Sequence, residues 1–247
     1  MISDPLQNVT VSADGCETGV FLFDIDGTLM KSGGAGGIAF RRAFHLWSGV
    51  DPSGAQVPMA GRTDLEILRL TLDAVGLPYP TPRARRELVR IYLRLLAEEL
   101  AVPNRAELCP GVSDLLRDLA LRPCAIGLVT GNIEPGARVK LRAAGIAERF
   151  AFGAYGSDHE DRDRLVPIAM RRLPNRNGGP VPPDRVWVIG DTLRDVQCAR
   201  AAGVNVLAVG TGFEDQAALA ASSPGRYLGN LSDTAAVLRL LGASPAH

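Results

Sequence analysis

Three short apolar runs along the chain end in polar residues, and each is followed by a helical pattern. The runs cover residues 20–23, 124–129 and 186–189. Short runs rich in β-branched and aromatic residues and bounded by glycine are typical of buried strands. Strands that alternate with helices predict a parallel sheet covered by helices on both faces. We therefore predict an α/β protein with a Rossmann-like parallel sheet at its core.

The polar residues at the ends of these runs indicate one shared site. Open α/β sheets bind ligands outside the carboxyl ends of their strands, near the point where the strand order reverses. Two aspartates follow the first run, a Thr-Gly-Asn segment follows the second, and two aspartates four residues apart follow the third: Asp24, Asp26, Thr130, Gly131, Asn132, Asp191 and Asp195. We predict that these side chains converge at one edge of the sheet.

Asp24 and Asp26 are two residues apart, so strand alternation places both on the same side of the chain. Two carboxylates this close repel each other, and burying them without a partner is costly. A divalent cation removes that cost, so the pair predicts a hard-metal site built from oxygen ligands. Taken alone, the pair fits a strand end closed by an Asx turn equally well. The polar residues at the other two strand ends favour the metal site.

A block of helical patterns without a strand signal separates the first apolar run from the second. Residues 38–47 and 88–100 carry apolar side chains at helical spacing. A third pattern begins at Thr63, which forms a capping-box sequence with Glu66. The block therefore predicts a helical domain inserted into the α/β core.

These patterns divide the chain into three parts. The α/β core is predicted to comprise residues 20–30 and 106–247, and the inserted helical domain residues 31–105. Residues 1–19 are rich in Ser, Asp, Gly and Thr and are predicted to be a flexible N-terminal extension.

Charge and composition exclude several classes of partner. The 27 basic and 27 acidic residues balance, so no strong field attracts nucleic acid or an anionic membrane. Residues 1–19 lack the basic start and apolar run of a secretion signal, and no apolar stretch is long enough to span a bilayer. We expect a cytoplasmic protein, monomeric or homodimeric, that binds neither nucleic acid nor membranes.

The polar strand ends resemble the motifs of the haloacid dehalogenase superfamily, in its Mg²⁺-dependent phosphatase branch. The DxDGT motif of that family matches residues 24–28, its strand ending in Ser or Thr matches Thr130, and its GDxxxD motif matches residues 190–195. The resemblance implies that residues 31–105 form an α-helical cap between the first and second motifs. It also implies an aspartyl-phosphate mechanism with Mg²⁺ as the cofactor.

The resemblance assigns a role to each acidic residue. Asp24 is the expected nucleophile, and Asp26 is the expected general acid for the leaving oxygen and then the base that activates water. The Asp24 carboxylate, the Asp26 backbone carbonyl and Asp191 are the expected Mg²⁺ ligands, with water completing the shell. Asp195 is expected to anchor the site or to bind the metal through water.

Phosphate contacts are expected from the second and third motifs. Thr130, Gly131 and Asn132 would bind phosphoryl oxygens, with helix capping by Thr130 and a turn role for Asn132 as the alternatives. The third motif requires a cation, for which the chain offers Arg162 and Arg164. Arg162 is preferred because it is closer to the expected strand end, and arginine suits phosphate oxygens.

The Thr-Gly-Asn segment and the Gly-Arg-Thr-Asp segment at 61–64 resemble phosphoglycolate phosphatase-like members of the family. The implied substrate is a small phosphorylated metabolite such as phosphoglycolate, with a small sugar phosphate next. Arg62 begins a helix and is a candidate contact for the leaving group; a salt bridge at the helix start is the alternative.

Three other functions fit the same fold. A dehalogenase needs neither a metal nor the second aspartate, so Asp26 and Asp191 argue against it. A phosphomutase would pass the phosphoryl group from Asp24 to a sugar hydroxyl, and the motifs alone do not exclude it. A non-catalytic binding protein is expected to lack the first or fourth motif, whereas this chain has both.

Overall fold

This computed structural model of the protein describes residues 19–174, 181–223 and 226–243. The strands are β1 (Gly19–Phe23), β2 (Met30–Lys31), β3 (Glu107–Leu108), β4 (Cys124–Thr130), β5 (Phe152–Tyr155), β6 (Val186–Gly190), β7 (Asn205–Val209) and β8 (Tyr227–Leu228). The α-helices are α1 (Ala35–Ser48), α2 (Asp64–Ala74), α3 (Pro82–Leu100), α4 (Val112–Ala120), α5 (Glu134–Ala143), α6 (Leu165–Arg171), α7 (Leu193–Ala201), α8 (Gln216–Ser222) and α9 (Thr234–Leu240).

The predicted parallel sheet is confirmed, and β1 lies at its centre. Six strands pair in the order β5-β4-β1-β6-β7-β8, and every pair is parallel. The chain builds outward from β1 through β4 to β5 and then returns to the other side of β1 with β6. The strand order therefore reverses at β1, and the carboxyl ends of β4, β1 and β6 are adjacent. This is where open α/β sheets bind ligands.

Strand alternation distributes the side chains of β1 between two cores. Phe21 and Phe23 pack in one apolar cluster, which extends over α4, α5 and α9 and into the helices between β2 and β3. Val20 and Leu22 pack in the other, against α6, α7 and α8. All four side chains are at most 1% exposed. Because β1 is buried on both faces, its sequence is a continuous apolar run rather than an alternating one.

Helices α1, α2 and α3 follow one another between β2 and β3, and α1 packs against α3. Strands β2 and β3 form an antiparallel pair in which Met30 faces Leu108 and Lys31 faces Glu107. The two connections between these helices and the sheet therefore run side by side. The division into domains at residues 31 and 105 stays a prediction. Of the predicted extension 1–19, only Gly19 lies within the described residues, where it begins β1.

The Asp-rich segment 158–163 and the helical spacing that follows it predict one helix through Arg172, and the structure differs from this prediction before α6. Asp158 instead accepts a hydrogen bond from the backbone N–H of Tyr155 (2.9 Å) and forms an ion pair with Arg172. Asp161 then caps a short 3-10 turn, Arg162–Arg164, which leads into α6. From this turn the Arg162 side chain reaches Asp24, which directly follows β1. Across the described ranges, no helix combines the length and apolar character needed to cross a bilayer.

Candidate active site

A cavity of about 440 Å³ lies between the carboxyl edge of the sheet and the helices α1–α3. Its walls bring together most of the predicted site residues, from positions up to 167 residues apart: Asp24, Asp26, Arg62, Gly131, Asn132, Arg162 and Asp191. The helical segment adds glycines at the start of α1, together with Asp64, Ile67 and Tyr92. Thr130 and Asp195 are fully buried.

Three carboxylates form a compact acidic cluster. Asp24, Asp191 and Asp195 each offer an oxygen, and these atoms lie within 4.8 Å of one another. Burial raises the pKa of Asp24 to about 6, with Asp195 and Asp26 adding repulsion and Arg162 opposing the rise. Burial and the charges of Asp24 and Asp195 also raise the pKa of Asp191 well above its usual value. When all three carboxyl groups are ionised, Arg162 does not fully compensate their negative charge.

Asp191 is held in place by close backbone contacts and one strong hydrogen bond. The Thr28 hydroxyl donates to Asp191 Oδ1 at 2.7 Å. Gly27 has φ +82, and a Cβ there would lie 2.3 Å from Asp191 Oδ2. Any larger residue at position 27 would displace the carboxylate, so the Gly-Thr pair of the first motif fixes an aspartate of the fourth.

Arg162 is the cation that the structure places in the cluster. Its guanidinium is 3.1 Å from Asp24 Oδ1 and forms a second ion pair with Asp195. Its side chain is 2% exposed, whereas that of Arg164 is 71% exposed and forms an ion pair with Asp161, at 3.9 Å. Asp195 also completes a capping box with Thr192 at the start of α7. Asp195 thus connects Arg162 to the helix that follows β6.

The acidic cluster fits a divalent cation. Asp24 Oδ1 is buried and accepts no hydrogen bond from the described residues, because its contact with Arg162 is an ion pair without hydrogen-bond alignment. Asp195 is already occupied by Arg162 and Thr192. Asp24 and Asp191 are therefore the carboxylates available as metal ligands, and oxygen ligands of this kind suit Mg²⁺. The Asp26 carboxylate lies outside the three-residue cluster.

Asp26 faces a different set of partners. Lys140 Nζ is 2.5 Å and Asn132 Nδ2 is 2.8 Å from Asp26 Oδ2, and the Ser32 hydroxyl is 3.3 Å from Oδ1. Burial favours a higher pKa for Asp26, but the Lys140 charge and these three hydrogen bonds outweigh it and hold the pKa below its usual value. The two aspartates of the first motif thus have opposite electrostatic surroundings.

The Thr130–Asn132 segment lies between the acidic cluster and the helices α1–α3. The Thr130 hydroxyl accepts from Asn132 Nδ2 at 2.9 Å, and α5 begins later, at Glu134, without a side-chain cap. Helix capping by Thr130 is therefore excluded. Gly131 packs so closely that a Cβ there would lie 2.0 Å from the backbone oxygen of Arg62. Binding of phosphoryl oxygens by this segment stays a prediction.

The start of α2 is attached to this segment by two hydrogen bonds. The Asp64 backbone N–H donates to the Gly131 carbonyl, and the Asp64 carboxylate accepts from the Ile133 N–H, both at 2.8 Å. The predicted capping box at Thr63 is half formed, because Thr63 accepts from the Glu66 N–H while the Glu66 side chain pairs with Arg62. The salt-bridge alternative for Arg62 is thus present, although Arg62 also lines the cavity.

A family model of the haloacid dehalogenase-like hydrolases matches residues 21–209, well over half of the chain. The chain belongs to this family.

Two relatives of this family member are named as a phosphatase and as a protein kinase. Phosphoglycolate phosphatase from Synechococcus elongatus is 32% identical over 127 residues, which are 51% of this chain and 57% of that protein. Tyrosine-protein kinase PtkA from Mycobacterium tuberculosis is 30% identical over 214 residues, 82% of this chain and 65% of that protein. This chain therefore spans less than two thirds of either relative.

The fold of this haloacid dehalogenase-like protein is shared with a solved structure. CbbY from Rhodobacter sphaeroides, determined in complex with phosphate, matches with a TM-score of 0.63 at 23% identity. The match covers 87% of this chain and 96% of that one. The likeness shows the fold, and the chemistry of the present site depends on its own residues.

Sequence reasoning missed one buried residue of the site, Lys140. It is 4% exposed on α5, where a helical pattern alone gives no reason to single it out. One signal was available: only Lys31 and Lys140 are lysines among the 27 basic residues. The chain uses arginine at nearly all of its basic positions, and Lys140 is one of the two exceptions.

Asp64 gives the metal-free protein an expected dependence of stability on pH. Burial raises the pKa of Asp64 from 3.8 to about 6, against the opposing Lys140 charge and the hydrogen bond from Ile133. Because its pKa is higher in the folded than in the unfolded state, Asp64 stabilises the fold at low pH and loses this contribution as the pH rises from about 4 to about 6. Asp64→Asn should therefore gain stability over the native protein across that range, by roughly 1–3 kcal/mol.

Asp158 provides a control, because its pKa is lowered in the folded protein whereas that of Asp64 is raised. Burial there is outweighed by the hydrogen bonds from Arg172 and from the Tyr155 N–H, which lower its pKa. Asp158→Asn should thus be less stable than the native protein at pH 7, with a difference that stays nearly constant down to about pH 5 and shrinks below it. Urea unfolding in EDTA at each pH measures both. A constant difference for Asp64→Asn would contradict the expectation.

Proposed function

We propose that this protein is a Mg²⁺-dependent phosphatase that hydrolyses a small phosphorylated metabolite through an aspartyl-phosphate intermediate. The observation that supports it most is the convergence of Asp24, Asp191 and Arg162 beside a cavity that Asp26 also lines. A carboxylate and a phosphate dianion repel each other, so their reaction needs positive charge that contacts both. Arg162 supplies part of this charge, and the carboxylate pair Asp24 and Asp191 fits a divalent cation for the remainder.

Asp24 and Asp26 divide the chemistry. An Asp24 carboxylate oxygen attacks phosphorus while the bond to the leaving oxygen breaks, and Asp26 gives its proton to that oxygen. Asp26, now ionised, accepts a proton from water, and the resulting hydroxide attacks the phosphorus of the aspartyl-phosphate. Phosphate leaves and the Asp24 carboxylate is restored. The three hydrogen-bond donors around Asp26 favour its ionised form, which suits the base step, and that step returns to Asp26 the proton that the acid step uses. Asp24 Oδ1 accepts no hydrogen bond from the described residues.

Mg²⁺ would be held by Asp24, Asp191 and the Asp26 backbone carbonyl, where it supplies charge that aligns the phosphoryl group with the nucleophile. Arg162 orients Asp24 and neutralises phosphoryl charge, and Asp195 fixes Arg162. Gly131 and the backbone N–H groups next to it are proposed to bind phosphoryl oxygens. The Asn132 side chain is occupied by Asp26, Thr130 and Lys140, so its proposed part is to support Asp26.

The proposed substrate is small, with phosphoglycolate first and a small sugar phosphate next. The helices α1–α3 cover the cavity, and Asp64 at the start of α2 is hydrogen-bonded to Gly131 and Ile133. This arrangement encloses the reacting phosphoryl group and limits the size of the leaving group that the cavity accepts. The phosphoglycolate phosphatase relative from Synechococcus elongatus supports the choice.

A panel of phosphorylated metabolites, assayed for phosphate release with and without Mg²⁺, tests the proposal. We expect release that requires the metal and is fastest with a small phosphate monoester. Release without metal, or none from any member of the panel, would overturn it. A requirement for a sugar bisphosphate activator would identify a phosphomutase instead, and transfer from ATP to tyrosine would indicate an activity like that named for PtkA.

A further inference from the structure

Lys140 is a buried ammonium group that forms hydrogen bonds with Asp26 and with Asn132, which itself bonds to Asp26. Its Nζ lies 2.5 Å from Asp26 Oδ2 and 2.6 Å from Asn132 Oδ1, and its side chain is 5% exposed. Asn132 in turn donates from Nδ2 to the same Asp26 oxygen, at 2.8 Å. The three side chains thus form a closed triangle in which each one contacts the other two.

The triangle fixes the Asp26 carboxylate from separate parts of the chain. Lys140 comes from α5, Asn132 follows β4, and Asp26 follows β1. The Asp26 side chain is 40% exposed, so without these partners water would compete for its oxygens and the carboxylate could rotate. Proton transfer requires a donor or acceptor within hydrogen-bond reach of the reacting oxygen, and small displacements are costly.

We infer that Lys140 is a positioning residue for the reaction, which holds the Asp26 carboxylate in the orientation that proton transfer requires. The inference rests on the proposed phosphatase function, because it concerns the proton-transfer group of that reaction. Lys140 acts through Asp26 and through Asn132, whereas the ion pair of Asp24 is with Arg162.

The space around the ammonium explains why this position has a lysine. A Cβ built on Gly36, at the start of α1, would lie only 3.3 Å from Lys140 Nζ. An ammonium is compact and directs three N–H donors freely, whereas a guanidinium is larger and planar. The two acceptor oxygens and the Gly36 backbone leave room for an ammonium but not for a guanidinium. Arginine is therefore a poor replacement here, although the chain uses it at nearly every other basic position.

Contact with Gly36 also places Lys140 where the helical segment meets the core. The Asp64 carboxylate, at the start of α2, bonds to Ile133, the residue that follows Asn132. The orientation of Asp26 should thus be defined best when α1 and α2 are packed against the core, as they are in this structure. Proton transfer would then be coupled to enclosure of the substrate.

A double-mutant cycle with p-nitrophenyl phosphate in saturating Mg²⁺ tests the inference. This leaving group needs no proton, so only the base step of Asp26 is measured. Lys140→Met should lower kcat by about 10–100-fold, less than loss of the proton-transfer group itself, and change KM by less than about 3-fold. In an Asp26→Asn background, the same substitution should lower kcat by less than about 2-fold, because the group it positions is already gone.

Arg138→Met is the matched control. Arg138 lies on the same helix, is exposed and forms an ion pair with Glu134, at 2.8 Å. We expect its kcat to stay within about 2-fold of the native value. Lys140→Gln, which keeps a polar group, replaces Lys140→Met if the latter does not fold, and Lys140→Arg should lose activity as well.

Each outcome bears on the inference. An unchanged kcat in Lys140→Met and Lys140→Gln, equal losses in the native and Asp26→Asn backgrounds, or a loss confined to KM would overturn it while leaving the phosphatase function standing. A native protein that releases no phosphate from any substrate would overturn the proposed function, and the role of Lys140 with it.

Discussion

Asp24→Asn is expected to reduce phosphate release by on the order of 10⁴-fold or more, because an amide cannot form the aspartyl-phosphate. Asparagine has nearly the same shape as aspartate, so the cavity and the Arg162 contact should remain. The loss should therefore appear in kcat rather than in folding. Initial rates with the best substrate of the panel, in saturating Mg²⁺, measure it.

The covalent intermediate provides a second measurement of the same prediction. Acid-quenched native protein should carry a phosphoryl group on the peptide that contains Asp24, and the Asp24→Asn variant should not. Asp114→Asn is a suitable control, since Asp114 is exposed on α4 and its ion pair is with Arg117 on the same helix. Activity above about a tenth of the native rate in Asp24→Asn would contradict the covalent mechanism.

The same substitution should not destabilise the metal-free fold. The pKa of Asp24 is raised from 3.8 to about 6, mainly by burial, so its ionisation costs stability as the pH rises from about 4, and the full cost applies above about 6. Asp24→Asn removes the charge, and we expect the metal-free variant to be at least as stable as the native protein at pH 7. Thermal unfolding in EDTA distinguishes a catalytic loss from a folding defect.

The parts of the site that the sequence predicts are those that follow from strand order. Apolar runs ending in Asp24 and Asp191 predict parallel strands, and parallel strands carry their carboxyl ends on one edge of a sheet. The two side chains consequently meet although they are far apart in the chain. Arg162 is preferred over Arg164 because it is closer to the strand end at this edge, and the structure places Arg162 beside Asp24.

The parts that the sequence does not predict depend on helix rotation and on side-chain contacts over long separations. Lys140 meets Asp26 across 114 residues, and which face of α5 is turned to the site follows from packing rather than from pattern. The capping sequences show the same limit. Thr63 with Glu66 forms only half a box because Arg62 competes for Glu66, whereas Thr192 and Asp195 form a full one.

Asp191→Asn is expected to raise the Mg²⁺ concentration required for half-maximal activity by on the order of 100-fold. This is the upper end of the range for losing a residue that only orients a metal ligand, and Asp191 is itself a proposed ligand. Asp191 and Asp24 are the carboxylates available as metal ligands, and an amide oxygen is a weaker ligand than a carboxylate. The Thr28 hydroxyl and Gly27 should hold the substituted side chain in the native orientation, so the change is confined to charge. Activity titrated with Mg²⁺ measures it, with Asp114→Asn as the control.

Stability should change in the opposite direction, which separates loss of a ligand from general damage. Burial and the charges of Asp24 and Asp195 raise the pKa of Asp191 well above its usual value, so the metal-free fold gains stability when Asp191→Asn removes that charge. Mg²⁺ at about 100 times its Kd should stabilise the native protein by about 2.7 kcal/mol and the variant by much less. The native affinity should also weaken below about pH 6, because Asp24 must lose a proton before it binds the metal. A variant with native Mg²⁺ dependence, or one destabilised in EDTA, would contradict the ligand role of Asp191.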